Sequence, residues 1–326
     1  MTMEQVQLDA FAGQRVLVTG ATGFIGAHLT RALVARGAQV TVLLREAARL
    51  TRLGPVLDLL TVHRGDLTDA AALQQCVQAA RPLYAFHLAA HTNVERGRVN
   101  DELALNVNLI GTARLLNALA DCGVERIINS GSCEEYGDSE PPVTEAARLR
   151  PVSPYSASKA AASIWCEMLY RTRGAPVVTM RPFLSYGPEQ DTVRLIPQAI
   201  VAALRNLEFP MTLGEQTREF THVDDMVDGY LRAALMPGID GRIFNLSSGE
   251  ETSVRDAVTL IFRLAESQGR PLFGALKYRE AELWRSSGDA RMAREHLGWQ
   301  PKIVFSDGIA RTINWYREAL SRGVLH

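Results

Sequence analysis

The sequence predicts an α/β fold, and three observations predict it. Apolar runs of strand length alternate with amphipathic helical stretches from residue 14 to about residue 180. A glycine-rich turn, Gly20-x-x-Gly23-x-x-Gly26, joins the first of these runs to the first helical stretch. Beyond residue 181 prolines and glycines interrupt the alternation. Since strand–helix–strand repeats build parallel sheets covered on both faces, we expect a Rossmann-type doubly wound sheet with a smaller C-terminal α/β lobe.

The predicted strands are short apolar runs between turn-forming residues. They cover residues 15–19, 39–44, 61–64, 84–88, 126–130 and 177–181. Helices are predicted between them, the longest over residues 101–121, where Gly123 ends it. With 326 residues, we expect an N-terminal domain (1–180) and a C-terminal lobe (181–326), with 219–236 as a segment that can return to the first domain. Ligand is expected between the two, at the carboxyl ends of the strands.

Composition and charge exclude several classes of protein. Hydrophobic residues make up 47% and charged residues 22% of the chain, as in ordinary globular proteins. The formal net charge is −1 without a basic tail, so neither nucleic acid nor a membrane is an expected partner. No apolar run reaches the length expected of a bilayer-spanning helix, and residues 1–12 lack a signal peptide's apolar core. The scattered cysteines predict no disulfide and no metal site and favour a reducing cytoplasm; they are Cys76, Cys122, Cys133 and Cys166.

The glycine-rich turn predicts a dinucleotide site. Gly20 allows the tight turn, Gly23 lets the backbone approach a pyrophosphate, and Gly26 lets the helix lie close to the strand. N–H groups at the start of the helix, with the positive end of its dipole, then face the phosphates. The motif alone is weak evidence, but here a strand precedes it and a helix and a second strand follow it.

Arg45 bears on the choice of cofactor. It follows the second strand, where NAD-dependent enzymes carry an acidic residue for the ribose 2′-hydroxyl. An arginine there can form charge-assisted hydrogen bonds with a 2′-phosphate, and Arg49 lies one turn further on. We therefore predict NADP rather than NAD, the alternative being that Arg45 is a surface arginine. Asp66, after the third strand, is predicted either to meet the adenine edge or to cap the next helix.

Tyr155 and Lys159 are four residues apart and so lie on one face of a helix. A neighbouring ammonium lowers the pKa of a phenol, which would let Tyr155 exchange a proton near neutrality. Such pairs also occur by chance on exposed helices. Ser132 follows the fifth strand, where it is either a turn serine or a hydrogen-bond partner for a substrate oxygen.

Six motifs occur together, in order and at suitable spacings. They are Thr19-Gly20-x-x-Gly23-x-x-Gly26, His87-Leu88-Ala89-Ala90, Asn108-x-x-Gly111-Thr112, Ser132-x-x-x-Tyr136-Gly137, Tyr155-x-x-x-Lys159 and Arg181-Pro182-Phe183-x-x-Tyr186-Gly187-Pro188. From about residue 14 to 320 the chain resembles the extended short-chain dehydrogenase/reductases, in their nucleotide-sugar epimerase/dehydratase/reductase branch. The resemblance implies that domain 1–180 binds NAD(P) and that lobe 181–326 binds a nucleotide sugar.

The resemblance also assigns roles by position. Tyr155 would be the acid/base, Lys159 would bind the nicotinamide ribose, Ser132 would hold the reacting sugar oxygen, and Asn108 would support the lysine. The cofactor contacts would be Gly20, Thr22, Gly23, Phe24, Ile25, Gly26, Arg45, Asp66, Leu67, Leu88, Ala89, Ala90, Asn108, Tyr155 and Lys159. The substrate contacts would be His91, Asn93, Arg218 and Arg279. The two arginines would bind the nucleotide and its pyrophosphate, the alternative being that both are solvated.

A homodimer is implied as well, formed through a four-helix bundle of the long helix, the Tyr155 helix and their twofold mates. The apolar residues available for it, or for packing on the sheet, are Val107, Ile110, Ala113, Leu116, Ile164, Trp165 and Leu169.

The residues after Ser132 bear on the reaction. Glu134 lies where the family's dehydratases and some decarboxylases have a glutamate, but Cys133 stands where glucose-type dehydratases have an aspartate and mannose-type ones a serine. Paired glutamates before Tyr-Gly resemble some 4-keto-6-deoxyhexose reductases, and Leu184 replaces an asparagine usual in the family. We therefore predict NADP-dependent reduction of a nucleotide-linked 4-keto-6-deoxyhexose by hydride transfer at C4. The alternatives are a 4,6-dehydratase with Glu134 as base, a C4 epimerase and a non-catalytic NADP-binding scaffold.

Overall fold

The computed structural model describes residues 8–95, 97–278 and 282–324. The strands are β1 (Arg15–Thr19), β2 (Gln39–Leu44), β3 (Thr61–Arg64), β4 (Tyr84–His87), β5 (Arg126–Ser130), β6 (Val177–Pro182), β7 (Ser185–Tyr186), β8 (Phe209–Met211), β9 (Thr217–Glu219), β10 (Thr221–His222), β11 (Ile243–Leu246), β12 (Glu251–Ser253) and β13 (Pro271–Phe273). The α-helices are α1 (Phe24–Ala35), α2 (Ala70–Ala80), α3 (Arg98–Ala104), α4 (Thr112–Asp121), α5 (Pro154–Arg173), α6 (Leu195–Leu204), α7 (Val223–Leu235), α8 (Val254–Leu264), α9 (Arg291–Leu297) and α10 (Phe305–Ser321). Short 3₁₀ helices cover Leu8–Phe11, Thr51–Leu59 and Cys133–Tyr136, and a π-helical segment covers Leu105–Gly111.

The central sheet has seven strands in the order β3-β2-β1-β4-β5-β6-β11. Every neighbouring pair in it is parallel. Helices cover both faces, and the strand order reverses between β1 and β4, where such sheets open a crevice for ligand. The predicted fold class is confirmed, and each of the six predicted strands is present.

The seventh strand was not predicted from the sequence. β11 pairs with β6 at the edge of the sheet, although it lies beyond the expected boundary at residue 181. Helix α7 also returns to the sheet, where Val227 and Tyr230 are buried in one core with Val18 and Phe244. β11 is therefore part of the sheet and α7 packs against it. The division of the chain into two lobes stays a prediction.

The C-terminal lobe has a core of its own between α6, α8 and α10. Three two-stranded sheets accompany it: β7 with β10, β9 with β12, and β8 with β13. The strand β9 carries one residue of the predicted site, Arg218.

Residues 98–121 form one continuous helix made of α3, the π segment and α4. By length and composition alone this helix could cross a membrane, so the expectation that no apolar run is long enough is wrong. Core helices of globular proteins pass the same test. In this protein Leu115, Leu116 and Leu119 are buried in a core that also contains Leu17 of the sheet.

The residues expected either at a helix-bundle interface or in packing on the sheet differ in their exposure. Leu116 and Leu169 are buried in the core under the sheet, so of the two expected roles they take packing on the sheet. Ile110 and Ile164 are exposed, at 41% and 59% of their surface. Ile110 and Ile164 are therefore accessible to a partner in this conformation.

The glycine-rich turn is close-packed against its surroundings. Gly20 has a positive φ of 77°, and a Cβ on it would lie 2.5 Å from the backbone nitrogen of Ala89. A Cβ on Gly26 would lie 2.1 Å from the carbonyl oxygen of Gly20. The close approach of α1 to the turn therefore depends on hydrogen atoms at both positions.

A buried carboxylate joins the loops of the C-terminal lobe. Glu219 accepts hydrogen bonds from the Ser247 hydroxyl, from Gly288 N (3.0 Å) and from Gly249 N (3.2 Å). Its side chain is 1% exposed. Burial raises the pKa of Glu219 to about 7, against the lowering effect of these hydrogen bonds.

Gly26→Ala should destabilise the fold because the new methyl group would overlap the carbonyl oxygen of Gly20, and backbone on both sides resists the shift. Overpacking of this kind costs about 3 kcal/mol, which lowers the melting temperature of a chain of this length by roughly 4 °C. Thermal melts of the wild type and the variant measure the effect. Gly54→Ala is the control, since a Cβ there meets no atom within 4 Å, and equal melting temperatures for both variants would contradict the packing.

Glu219→Gln should flatten the pH dependence of stability. The folded protein holds a proton on Glu219 that the unfolded chain releases near pH 4.5, so wild-type stability falls as pH rises from about 4.5 to about 7. The loss amounts to about 3 kcal/mol, because one pKa unit corresponds to about 1.4 kcal/mol. Urea unfolding at a series of pH values measures it. The exposed Glu250→Gln should keep the wild-type slope, and an equal slope in Glu219→Gln would refute the assignment.

Candidate active site

A cleft of 1520 Å³ opens at the carboxyl ends of the sheet strands and extends between the sheet and the C-terminal lobe. It brings together nearly all of the residues singled out from the sequence. Those that line it are Gly20, Thr22, Gly23, Phe24, Ile25, Gly26, Arg45, Asp66, Leu67, Leu88, Ala89, Ala90, His91, Asn93, Ser132, Cys133, Glu134, Tyr155, Lys159 and Arg218. Asn108 does not line the cleft, and Arg279 lies outside the described residues.

The N-terminal half of the cleft fits a dinucleotide. Gly23 is the N-cap of α1 and makes no side-chain cap, so the first N–H groups of the helix have no partner within it. A Cβ atom at Gly20 or Gly26 would overlap neighbouring backbone, so only glycine fits at these two positions of the turn. An uncapped helix start at a tight glycine turn is a site for phosphate.

The ends of β2 and β3 carry the residues expected to meet the adenosine. Arg45 is exposed and lines the cleft, whereas Arg49 does not line it. Asp66 accepts hydrogen bonds from Thr68 N (2.9 Å) and from the Thr68 hydroxyl (2.7 Å). The alternative that Asp66 caps the next helix is wrong, because Asp69 caps α2.

Ser132 lies at the start of a short 3₁₀ helix that follows β5. Its hydroxyl accepts from Glu134 N (3.2 Å), and its own N–H donates to Glu135 Oε1 (2.8 Å), which together form a capping box. The Ser132 hydroxyl also acts on the phenol of Tyr155, whose pKa it lowers. The capping box accounts for a serine at this position, and its role towards a substrate oxygen stays a prediction.

The electrostatics of Tyr155 differ from the expectation. Burial raises the pKa of Tyr155 far above its usual value, the hydrogen bond with Ser132 lowers it less, and Glu134 adds to the rise. Lys159 is itself buried, which lowers its pKa, while Glu135 opposes that shift. The net shift of the Tyr155 pKa is therefore upwards, opposite to the expected lowering, and the phenol is protonated at neutral pH in this state.

The paired glutamates have different environments. Glu135 is fully buried and forms an ion pair with Arg181, with 2.8 Å between Oε2 and Nε. Glu134 lines the cleft, where burial raises its pKa and the guanidinium of Arg194 lowers it. Only Glu134 can therefore reach a ligand.

Cys133, beside them, also lines the cleft. Burial raises the pKa of its thiol far above the usual range, and the carboxylates of Glu134 and Glu219 add to the rise. The thiol is neutral at physiological pH and is a weak acid there.

Asn108 lies in the π-helical segment, where it binds neighbouring groups of the protein and does not line the cleft. Its amide donates to His91 O (2.9 Å) and to Ser158 Oγ (2.9 Å), and its oxygen accepts from His91 N (2.7 Å). The predicted direct contact of Asn108 with the cofactor is not supported, because buried Asn108 instead joins the His91 loop to the residue before Lys159. The π turn provides this register, and π segments are frequent at functional sites.

Every second residue along β9 and its flanks faces the cleft, and these residues form the cleft wall on the side of the C-terminal lobe. Gln216, Arg218 and Phe220 line the cleft, whereas Thr217 and Glu219 point away from it, as the period of a strand requires. Arg218 is 16% exposed and pairs with Glu282 (2.9 Å), so it is not a solvated surface arginine. Arg194 and Gln216 also line this part of the cleft and were missed in the sequence, which shows no spacing that singles them out.

Comparison with known proteins agrees with this geometry. Residues 17–312 match the family model described as GDP-mannose 4,6 dehydratase. The chain is 33% identical over 314 residues to the UDP-glucose 4-epimerase of Mycolicibacterium smegmatis, a match that covers 93% of this chain and 98% of that one. It is 32% identical over 316 residues to a dTDP-glucose 4,6-dehydratase of Streptomyces griseus, covering 93% and 94%.

A solved structure extends the likeness to three dimensions. The dTDP-glucose 4,6-dehydratase DesIV of Streptomyces venezuelae, in a structure that contains NAD, superposes with a TM-score of 0.83 at 31% identity. The superposition covers 96% of this chain and 99% of that one. The chain therefore belongs to the extended short-chain dehydrogenase/reductases, in their branch of nucleotide-sugar epimerases and dehydratases.

Proposed function

We propose that the protein reduces the C4 carbonyl of a nucleotide-linked 4-keto-6-deoxyhexose with NADPH. The state of Tyr155 carries the proposal. Its phenol lines the cleft, and desolvation raises its pKa far above the usual value, so it holds a proton at neutral pH. Reduction needs a proton donor to the C4 oxygen at the start of the reaction, whereas oxidation of a C4 alcohol needs a phenolate there.

The side chains have distinct roles in this reaction. Bound NADPH would supply the hydride that C4 receives. The Ser132 hydroxyl would donate a hydrogen bond to the C4 oxygen, and Tyr155 would transfer its proton to that oxygen and become a phenolate. The buried ammonium of Lys159 would stabilise this phenolate until water returns a proton.

The neutral thiol of Cys133 supports reduction over dehydration. A 4,6-dehydratase protonates the hydroxyl that leaves from C6 while a base removes the proton at C5. A thiol with a strongly raised pKa is a poor donor to a leaving hydroxyl. Reduction at C4 requires no second acid.

Arg45 supports NADPH as the reductant. It lies in the cleft at the end of β2, where an acidic side chain would instead favour the 2′-hydroxyl of NAD. Its exposed guanidinium is free to turn towards a 2′-phosphate. The relative DesIV contains NAD, so cofactor preference is a point on which this chain would differ from that one.

Arg218 supports a nucleotide diphosphate as the substrate's anchor. Its guanidinium lies in the wall opposite the cofactor half of the cleft and is paired with Glu282. Arginine binds phosphate with two parallel hydrogen bonds, so a diphosphate can take the place of one carboxylate. Arg279, His91 and Asn93 are proposed as further substrate contacts.

A 4,6-dehydratase is the second candidate, and Glu134 is the observation that favours it. Its carboxylate faces the cleft beside Ser132, where a base for the proton at C5 would be needed. Several relatives are dehydratases, and another is a C4 epimerase. Both of those reactions begin with oxidation at C4 and return the hydride later, so they consume no cofactor.

We also propose a cytoplasmic homodimer. Exposed Ile110 and Ile164 lie on the adjacent helices that would form a four-helix bundle with a second copy.

Tyr155→Phe should lower kcat by about a thousandfold, because general acid catalysis by a positioned side chain contributes about 10²–10⁴. The binding of NADPH, followed by its fluorescence, should stay within about threefold, since the ring remains in place. Tyr170→Phe is the matched control, for it lies on the same helix with 40% of its surface exposed. Wild-type turnover by Tyr155→Phe would remove this residue from the mechanism.

The direction of the reaction follows from cofactor stoichiometry. With nucleotide-linked 4-keto-6-deoxyhexoses, we expect one NADPH to be oxidised for each sugar reduced, and NADPH to be preferred over NADH. Absorbance at 340 nm and product analysis measure both. Formation of a 4-keto sugar from a nucleotide hexose without net change in cofactor would identify a dehydratase. Inversion at C4 would identify an epimerase, and binding without turnover a scaffold.

A further inference from the structure

Residues 187–191, which we call the strap, connect β7 to the turn before α6 and lie beside the glycine-rich turn. Each of the two carboxylates in the strap pairs with an arginine of the N-terminal domain. Glu189 pairs with Arg31 (2.8 Å), and Asp191 pairs with Arg52 (2.7 Å). Asp191 and Arg52 both line the cleft.

Arg52 is the centre of these contacts. Its Nε donates to Glu189 O (2.9 Å), and its two terminal nitrogens donate to Thr22 O (3.2 Å) and to Asp191 Oδ1 (2.7 Å). Arg31 in turn donates to the carbonyl oxygen of Arg52 (2.6 Å). One side chain therefore joins the glycine-rich turn, through Thr22, to two residues of the strap.

Other contacts hold the remainder of the strap. His28 Nε2 donates to Pro188 O (3.1 Å), and the Tyr316 hydroxyl donates to Gln190 O. Glu189 has a φ of 67°, in the left-handed region that residues other than glycine rarely adopt. Backbone of this kind persists only where its surroundings hold it, and it is concentrated at ligand clamps and switch regions.

Charge explains why the strap needs arginine. The strap brings the carboxylate of Asp191 into the cleft, on the side where the glycine-rich turn would face the phosphates of a dinucleotide. Without a paired cation that carboxylate would repel a diphosphate. Arg52 neutralises Asp191 and at the same time fixes the strap to the turn.

We propose that Arg52 is a positioning residue that clamps the strap over the bound dinucleotide, so that the cofactor leaves only after the Arg52–Asp191 pair opens. The inference rests on the proposed function in one respect, that NAD(P) occupies the cleft. It does not depend on the direction of the reaction.

The test measures cofactor release from the full-length protein. NADPH and NADH are bound in turn, and their dissociation is followed by stopped-flow fluorescence after displacement with excess oxidised cofactor. We expect Arg52→Ala to release cofactor at least tenfold faster than the wild type. Asp191→Asn should accelerate release too, and the double variant should be no faster than Arg52→Ala, because the residues act as one unit.

Controls separate the clamp from general destabilisation. Arg171→Ala removes an exposed arginine of an ion pair on α5 and should leave the dissociation rate unchanged. The affinity for a nucleoside diphosphate in the substrate half of the cleft should be unchanged in Arg52→Ala, as should its melting temperature without ligand. Dissociation from Arg52→Ala within twofold of the wild-type rate would overturn the clamp.

Failure of the proposed function has a different signature. If the wild type binds neither dinucleotide, the clamp and the reductase are both refuted. If it binds one without reducing a keto sugar, and Arg52→Ala still accelerates release, the clamp stands and the reductase falls.

Discussion

The active site depends on one buried ion pair, between Glu135 and Arg181. Both side chains are at most 2% exposed, and the pair connects the 3₁₀ helix after β5 to the strand β6. Glu135 also accepts from Ser132 N, and Arg181 donates to the Tyr136 hydroxyl, which donates to Asn245 of β11. Loss of one partner would leave a buried charge uncompensated, which costs about 3–5 kcal/mol. The position of Ser132 is therefore fixed by charges that never meet a ligand.

The periodicity of the sequence predicted six strands of the central sheet but not the seventh. The buried strands read as apolar runs, and parallel sheets require such runs, so six strands and the glycine-rich turn could be read directly. β11 could not, since it is four residues long and has Asn245 at its centre. That asparagine is acceptable because its side chain bonds Tyr136 and Val143, which lie about a hundred positions earlier. A polar residue whose partner is distant in sequence gives no local sign of a core strand.

The same limit applies to the site. The motif residues converge on one cleft, as their order in the chain suggested, but their protonation did not follow from spacing. The four-residue spacing of Tyr155 and Lys159 predicted a lowered pKa for the phenol, whereas desolvation of the phenol dominates and raises it. Likewise nothing in a Glu-Glu pair says that Glu135 faces Arg181 and Glu134 the cleft. Desolvation depends on the packed structure, and a helical spacing describes only one pair of neighbours.

The two ion pairs beside the cleft differ in their exposure to water and therefore in their effect. The Glu135–Arg181 pair is excluded from water and holds its groups in one arrangement, as a proton donor must be held. The Arg52–Asp191 pair leaves Asp191 65% exposed, so it is screened by salt and contributes little to stability. A reductase must exchange its cofactor in every turnover, whereas an epimerase or a dehydratase can keep the same one. The proposed clamp, which would close over the cofactor and open at small cost, is therefore suited to the proposed enzyme that consumes NADPH.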